Sequence, residues 1–198
     1  SKYYKSDHSL ILLTKGLSIE NNKITTLSEK IKKILQKDGH ENINISAIKG
    51  PCLASGLANK IRTGTVIANE DNKKAEFLKN IISTKYYSTE ISTDVVGVEV
   101  CGAIKNIYSM LIGASEGLSS IDALKDIKSK FFLNTAASLV HRSISEMVRF
   151  VKHIGGKDET VYGLAGLGDL YVSAIGGRNS QMGKYLGEGS LYQEAKLK

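Results

Sequence analysis

The sequence predicts an α/β layer with a largely parallel sheet, followed by an all-α unit, with the division near residue 92. Three observations carry this reading. Up to residue 92 short apolar runs alternate with amphipathic helical patterns, which is how a sheet covered by helices is written. From Asp94 onward long helical patterns replace them and no strand is evident. The charge changes at the same point: residues 1–92 carry 15 basic and 9 acidic side chains, a net of +6, whereas residues 93–198 carry 12 and 11, a net of +1.

Each element has its own signal. Residues 9–14 (SLILLT) are a continuous apolar run closed by Lys15-Gly16, the mark of a buried strand. Thr26 and Glu29 have capping-box spacing ahead of Leu27, Ile31, Ile34 and Leu35, the apolar stripe of a helix ending near Gly39. Residues 43–48 (INISAI) predict a second strand, broken by Lys49-Gly50-Pro51, and residues 65–68 (TVIA) a third. Asp71 suits the N-cap of a helix burying Ala75, Leu78, Ile81 and Ile82, and residues 86–92 are β-rich again. Residues 95–118 are apolar or small nearly all round, which predicts a helix buried on every side, its glycines admitting other backbones. Residues 121–130 form an amphipathic, charged pattern, and residues 131–154 a long helix stopped by Gly155-Gly156. Asp158 opens a short helix that runs into the glycine run 163–168, and residues 179–186 give one more before a Gly-rich, polar tail.

Composition removes several classes of function. With 41% hydrophobic and 24% charged residues and a single proline, the chain is neither collagenous nor low-complexity. No uninterrupted apolar stretch approaches a membrane span, and the polar residues 1–8 carry no secretory signal. Cys52 and Cys101 lie far apart, without CxxC pairing, and the four histidines lack ligand spacing. Neither a disulfide framework nor a metal site is expected, and a reducing, cytoplasmic setting is. The basic side chains are 23 Lys against 4 Arg. Base and phosphate forks prefer arginine, so the surplus reads as a solvated face or a preference for a small anion, not as a nucleic-acid surface.

Four polar clusters interrupt apolar surroundings. Thr14-Lys15-Gly16 follows a strand, at the edge where open α/β sheets bind ligands, although an exposed loop lysine reads the same way. Gly50 to Ala54, around Cys52, is small enough for backbone amides to meet a ligand, or is an ordinary turn. Lys105 and Asn106 break the all-round apolar helix. A lysine buried there would have a lowered pKa suited to a general base; the alternative is a stem that snorkels to water. Finally, Asp169 sits in an apolar run, and Gly176-Gly177-Arg178-Asn179 leads into a helix start. Free amides and a guanidinium there make a phosphate site.

The order ILLTKG (11–16), KGPCLA (49–54), VGVEVCGAIKNI (96–107), SEMVRF (145–150), YGLAGLGDL (162–170) and GGRN (176–179) resembles NAD(P)-dependent glycerol-3-phosphate dehydrogenase, from about residue 9 to 190. The resemblance implies the C-terminal part of a Rossmann-type dinucleotide-binding domain over residues 1–92. It also implies, over residues 93–198, a helical catalytic domain like that of 6-phosphogluconate dehydrogenase, incomplete at its C-terminus. It implies Lys105 as proton acceptor, with Asp169 and Lys15 in the active site, and glycerol 3-phosphate or dihydroxyacetone phosphate as substrate. Lys15, Gly50, Cys52, Lys105, Asp169, Gly177, Arg178 and Asn179 would contact substrate. Lys15, Ala54 and Arg178 would contact the cofactor, NAD or NADP. A homodimer, with no nucleic acid, no metal and no membrane span, completes the expectation.

The sequence departs from the family pattern in several places. Cys52 stands where Ser or Asn is usual, Ala136 where lysine is usual, and residues 119–133 are longer than usual. No strand–GxGxxG–helix turn is present, so the chain, which begins at Ser1, is expected to be an internal portion of a longer enzyme, inactive and weak for NAD by itself. Two other readings remain open at this point: a remnant that binds phosphate or protein without catalysis, and a related hydroxy-acid dehydrogenase.

Overall fold

The computed structural model describes residues 3–122 and 131–197. Strand β1 (Ser9–Leu12) is followed by a hairpin, β2 (Leu17–Glu20) and β3 (Lys23–Thr26), then helix α1 (Leu27–Lys37). Strand β4 (Asn44–Lys49), the short helix α2 (Ala54–Ala58), β5 (Thr63–Ala68), α3 (Asn72–Ile82) and β6 (Tyr87–Ser92) complete the first half. The two N-caps hold: Thr26 Oγ1 accepts from the Glu29 amide at 3.3 Å and Asp71 Oδ1 from the Lys73 amide at 2.9 Å. The capping box is only half formed, the Glu29 carboxylate facing Lys33 at 3.7 Å instead. The α1 stripe is narrower than predicted, since Leu35 is buried while Ile34 is exposed; on α3, Ile81 is likewise exposed.

The four-stranded sheet runs β1-β4-β5-β6; two of its three pairings are parallel, as expected, and the middle one is antiparallel. β1–β4 and β5–β6 are parallel, each joined through a helix, but β4 and β5 are antiparallel, with Lys49 opposite Val66. The connection between them, residues 50–62, holds only the five-residue α2 in place of the longer crossover helix that a parallel pair normally uses. The β2–β3 hairpin was not foreseen. Its turn is Asn21-Asn22, both with positive φ (48° and 60°), the conformation that two-residue hairpin loops require. Two asparagines between LSIE and KITT were the available signal.

The helical half is α4 (Val95–Asp122), α5 (Phe131–Ile154), α6 (Asp158–Tyr162), a π-helical turn at Leu164–Gly168, α7 (Asp169–Gly176), α8 (Arg178–Gly187) and α9 (Tyr192–Ala195). Of the amphipathic pattern predicted over 121–130, Ile121 and Asp122 end α4 and the rest lies outside the described residues. Asp94 caps α4 through Oδ1, which accepts from the Gly97 amide at 2.9 Å. Its Oδ2 takes the Lys157 amide and the Thr160 hydroxyl, pinning α6 to the same point. By length and composition α4 could cross a membrane, but most of its apolar stretch is buried inside the protein. There Val98, Val100, Cys101 and Ile104 join Met147 and Val151 of α5, Val161, Leu170, and Ala47 and Val66 of the sheet in one core. A smaller core of Ile48, Ile67, Ala75 and Leu78 fills the other face of the sheet, under α3.

The glycines of α4 do admit another backbone. Gly113 and Gly117 lie against Ser180 O and Lys184 O of α8, while Gly183 and Gly187 of α8 lie against Met110 O and Ala114 O of α4. At all four positions a Cβ would overlap a carbonyl oxygen. The seam is therefore set by backbone against backbone, and neither side can yield by changing a rotamer. Gly113→Ala is expected to destabilise the fold by about 1–3 kcal/mol, the usual cost of overpacking. Denaturant unfolding of the full-length protein measures it, and an unchanged midpoint would mean that the helices can separate at no cost.

Candidate functional site

Asp169 is the pivot of the site. The π-helical turn before it is compressed because Gly166 lies against the Val161 backbone, where a Cβ would overlap. That turn delivers Asp169 as the first residue of α7, with only 1% of its surface exposed. Facing it from α4 is Lys105, 3% exposed. Lys105 Nζ donates to Asp169 Oδ1, to Ser173 Oγ at 2.6 Å one turn further along α7, and toward the Asp169 carbonyl at 3.4 Å. From the loop after β1, Lys15 Nζ reaches the second carboxylate oxygen, Oδ2, at 3.0 Å. The Lys15 side chain remains one-third exposed, so this ammonium stands at the mouth of the site while Lys105 lies within it.

Burial is the main influence on Lys105 and lowers its pKa from 10.5 to about 8; the Asp169 carboxylate pulls it back up and the Lys15 charge pushes it down. Near neutral pH the amine is therefore close to shedding its proton. That makes it a group able to take or return a proton at one end of a site lined by fixed charges.

The loop after β4 closes a further side. Gly50 has φ +140°, and a Cβ on it would stand 2.9 Å from Thr65 Cα, so the chain can turn there only without a side chain. Pro51 rests on Gly168 and Leu53 on Gly176, so this loop packs on both ends of α7. Cys52, half-buried and free, is near enough to feel the charges of both Lys15 and Asp169; burial is the larger influence and raises its thiol pKa. Ala54 is exposed at the start of α2.

Arg178 and Asn179 are not in the charge cluster. They begin α8 behind its N-cap Gly177, whose amide donates to Ser173 O at 3.0 Å, in the same residue whose hydroxyl meets Lys105. The Arg178 side chain is exposed and has no partner among the described residues. No side chain caps α8, so its first amides are open toward whatever the guanidinium meets. The four described histidines form no group with the cysteines or carboxylates that could hold a metal.

Among the described residues, Lys49 and Glu99 are almost wholly buried ionisable residues that the sequence analysis did not single out. Lys49, 2% exposed, read as part of a strand-breaking Lys-Gly-Pro. Glu99, 1% exposed, lay inside an apolar helix and carried no assignment, yet its carboxylate accepts from both the amide (3.1 Å) and the hydroxyl of Ser28 at the start of α1. It ties the central helix to the α/β half.

The comparisons with known proteins fit this plan. Residues 94–198 match the model for the NAD-dependent glycerol-3-phosphate dehydrogenase C-terminus, and residues 1–75 the model for its N-terminus. The chain is 33% identical over 192 residues to the NADP(+)-dependent glycerol-3-phosphate dehydrogenase of Archaeoglobus fulgidus, covering 97% of this chain and 55% of that one. A glycerol-3-phosphate dehydrogenase [NAD(P)+] of Clostridium acetobutylicum is 33% identical over 98% of this chain and 53% of its own. The crystal structure of the glycerol-3-phosphate dehydrogenase of Coxiella burnetii superposes with a TM-score of 0.81 at 31% identity, over 96% of this chain and 53% of that one. Fold and site together define a two-domain plan, Rossmann-like and then helical, with the ionisable groups at the seam. The chain belongs to the NAD-dependent glycerol-3-phosphate dehydrogenase family, and it spans about half the length of the curated relatives it matches.

Asp169 is the one partner that raises the Lys105 pKa, so removing its charge has a definite sign. In Asp169→Asn the amine keeps the burial and the Lys15 charge, and its pKa falls below about 8. A nitrogen-15 titration of the lysine side chains reads this directly; a rise would refute the pairing.

Proposed function

We propose that the protein containing this chain interconverts sn-glycerol 3-phosphate and dihydroxyacetone phosphate, with Lys105 as the proton acceptor. The observation that carries the reading is the buried amine of Lys105 against Asp169, with a second ammonium, Lys15, at the entrance. Family membership supports the reaction class, and the free guanidinium of Arg178 over an uncapped helix start supports a phosphate on the substrate.

NAD or NADP, when bound, supplies the two-electron hydride acceptor or donor. The residues present suit one end of it: Lys15, Ala54 and Arg178 all reach solvent around the site. Among the described residues no strand–glycine turn–helix is available for its pyrophosphate, since β1 leads into a hairpin and β4 into Gly-Pro. The chain's own residues carry the rest. Lys105 Nζ takes the proton from the C2 hydroxyl in oxidation and returns it in reduction. Asp169 fixes the amine and balances its charge. Lys15 steadies the developing oxygen charge from the entrance, and Gly50, Cys52, Gly177 and Asn179 line the phosphate side. Binding the remote phosphate then places C2 for the chemistry.

The same reading takes residues 1–92 and 93–198 as the two domains, supported by the Asp94 cap at their junction. It places the protein in the cytoplasm, supported by two free cysteines. It takes a homodimer as the assembly, supported by the exposed stripe Ile107, Leu111, Leu118 and Ile121 along α4.

Lys105 accepts a proton only when neutral, so kcat/KM for alcohol oxidation should climb with pH through about 8 and level off above it. Lys105→Met should lower kcat about a hundredfold or more with a small change in KM; a variant that retains half of wild-type kcat removes the residue from this role.

Arg178→Ala tests the substrate. A charge-assisted grip on phosphate is worth roughly 1.5–3 kcal/mol, or about ten- to a hundredfold. The variant should lose that factor in kcat/KM with glycerol 3-phosphate at saturating cofactor, while the poor turnover of glycerol barely moves. Equal losses on both substrates would mean that Arg178 does not read the phosphate.

A further inference from the structure

Lys49 is a buried amine with no part in the mechanism above. It is the last residue of β4 and lies on the same face of the sheet as Ala47, toward α4. Its stem crosses α4 at Gly102: a Cβ on that glycine would stand 2.7 Å from Lys49 Cδ and 3.2 Å from Cε. The helix thus leaves a channel where any other residue would close it. At the end of the channel Nζ donates to the carbonyl of Leu12 at 3.0 Å. Leu12 ends β1, three residues before Lys15.

Burying an amine costs free energy that an apolar side chain in the same place would not. Here burial lowers the Lys49 pKa to about 8. Something has to offset that cost, and the contact made is with the strand end that launches the Lys15 loop. Of the neighbouring charges, Glu99 and the site's Asp169 favour the ammonium, and Lys15 opposes it.

We propose that Lys49 is a positioning residue, its amine clamping the Leu12 carbonyl so that the following loop delivers Lys15 to Asp169. The kinetic consequence rests on the function proposed above; the structural consequence does not. If the clamp is released, Lys15 leaves Asp169 more often and becomes more reactive.

The test uses the full-length protein and its Lys49→Met variant, which keeps a stem of similar length without the donor. The readouts are trace acetylation of each lysine by acetic anhydride, quantified by mass spectrometry, and steady-state kinetics. Lys184, paired with Glu116 on the α4–α8 seam, serves as the internal control. The Lys15 end of the pair reaches water, so Lys15 labelling should rise about two- to fivefold while Lys184 stays constant. KM should rise more than kcat falls. Should Lys49→Met not fold, Gly102→Ala retains the amine but crowds its stem and draws Nζ off the Leu12 carbonyl, and the same rise at Lys15 is expected. Unchanged Lys15 labelling in a folded variant of either kind overturns the clamp. Increased Lys15 labelling in a protein inactive on both glycerol 3-phosphate and dihydroxyacetone phosphate would sustain the clamp and refute the proposed function instead.

Discussion

The charged groups at the seam between the two halves are organised around a single buried carboxylate, Asp169. Asp169 is almost wholly out of water, and an isolated carboxylate in that position would be costly enough to neutralise itself. It remains in place because ammonium groups approach it from two independent elements, Lys105 from the central helix and Lys15 from the loop after the edge strand. Breaking a buried pair such as Lys105–Asp169 typically costs about 3–5 kcal/mol, because the partner is left uncompensated. The ion cluster thus adds to the shared core and the Glu99–Ser28 tie in fixing the two halves, while burial lowers the proton affinity of Lys105 and Asp169 partly restores it.

The central helix makes that relation rigid. Along α4 three different contacts occur in sequence: Glu99 reaches the start of α1, Gly102 lets Lys49 pass, and Lys105 meets Asp169. Further along, Gly113 and Gly117 seat α8, which begins at Arg178. The proposed proton acceptor and the proposed phosphate grip are therefore held on one scaffold, joined a second time through Ser173, whose hydroxyl meets Lys105 and whose carbonyl meets Gly177. A site that must align a proton acceptor with a remote anion gains from such stiffness, since small displacements erode the alignment.

Much of this was legible in the order of residues. Helix caps were visible because they are local: Thr26, Asp71 and the Gly155-Gly156 stop act within a few residues of where they stand. Lys105 and Asp169 stood out as charges in apolar runs, and their pairing explains how each can be buried. Other features were not visible. The antiparallel pairing of β4 and β5 belongs to a connection without a full crossover helix, and the exposure of Ile34 and Ile81 is set by packing that their periodicity does not encode. Lys49 looked like a turn residue because nothing near it in sequence reveals a glycine fifty-three positions away that makes room for it.

The sequence by itself determined the succession of strands and helices, the positions of most caps, and which charged residues had to find partners, because periodicity, capping and the cost of burying charge act locally or on single residues. The tertiary structure alone decided which partners those charges found, the direction of the middle strands, and the enclosure of Lys49 and Glu99. Those outcomes follow from backbone approach distances and from surfaces brought together across most of the chain, which no local pattern encodes.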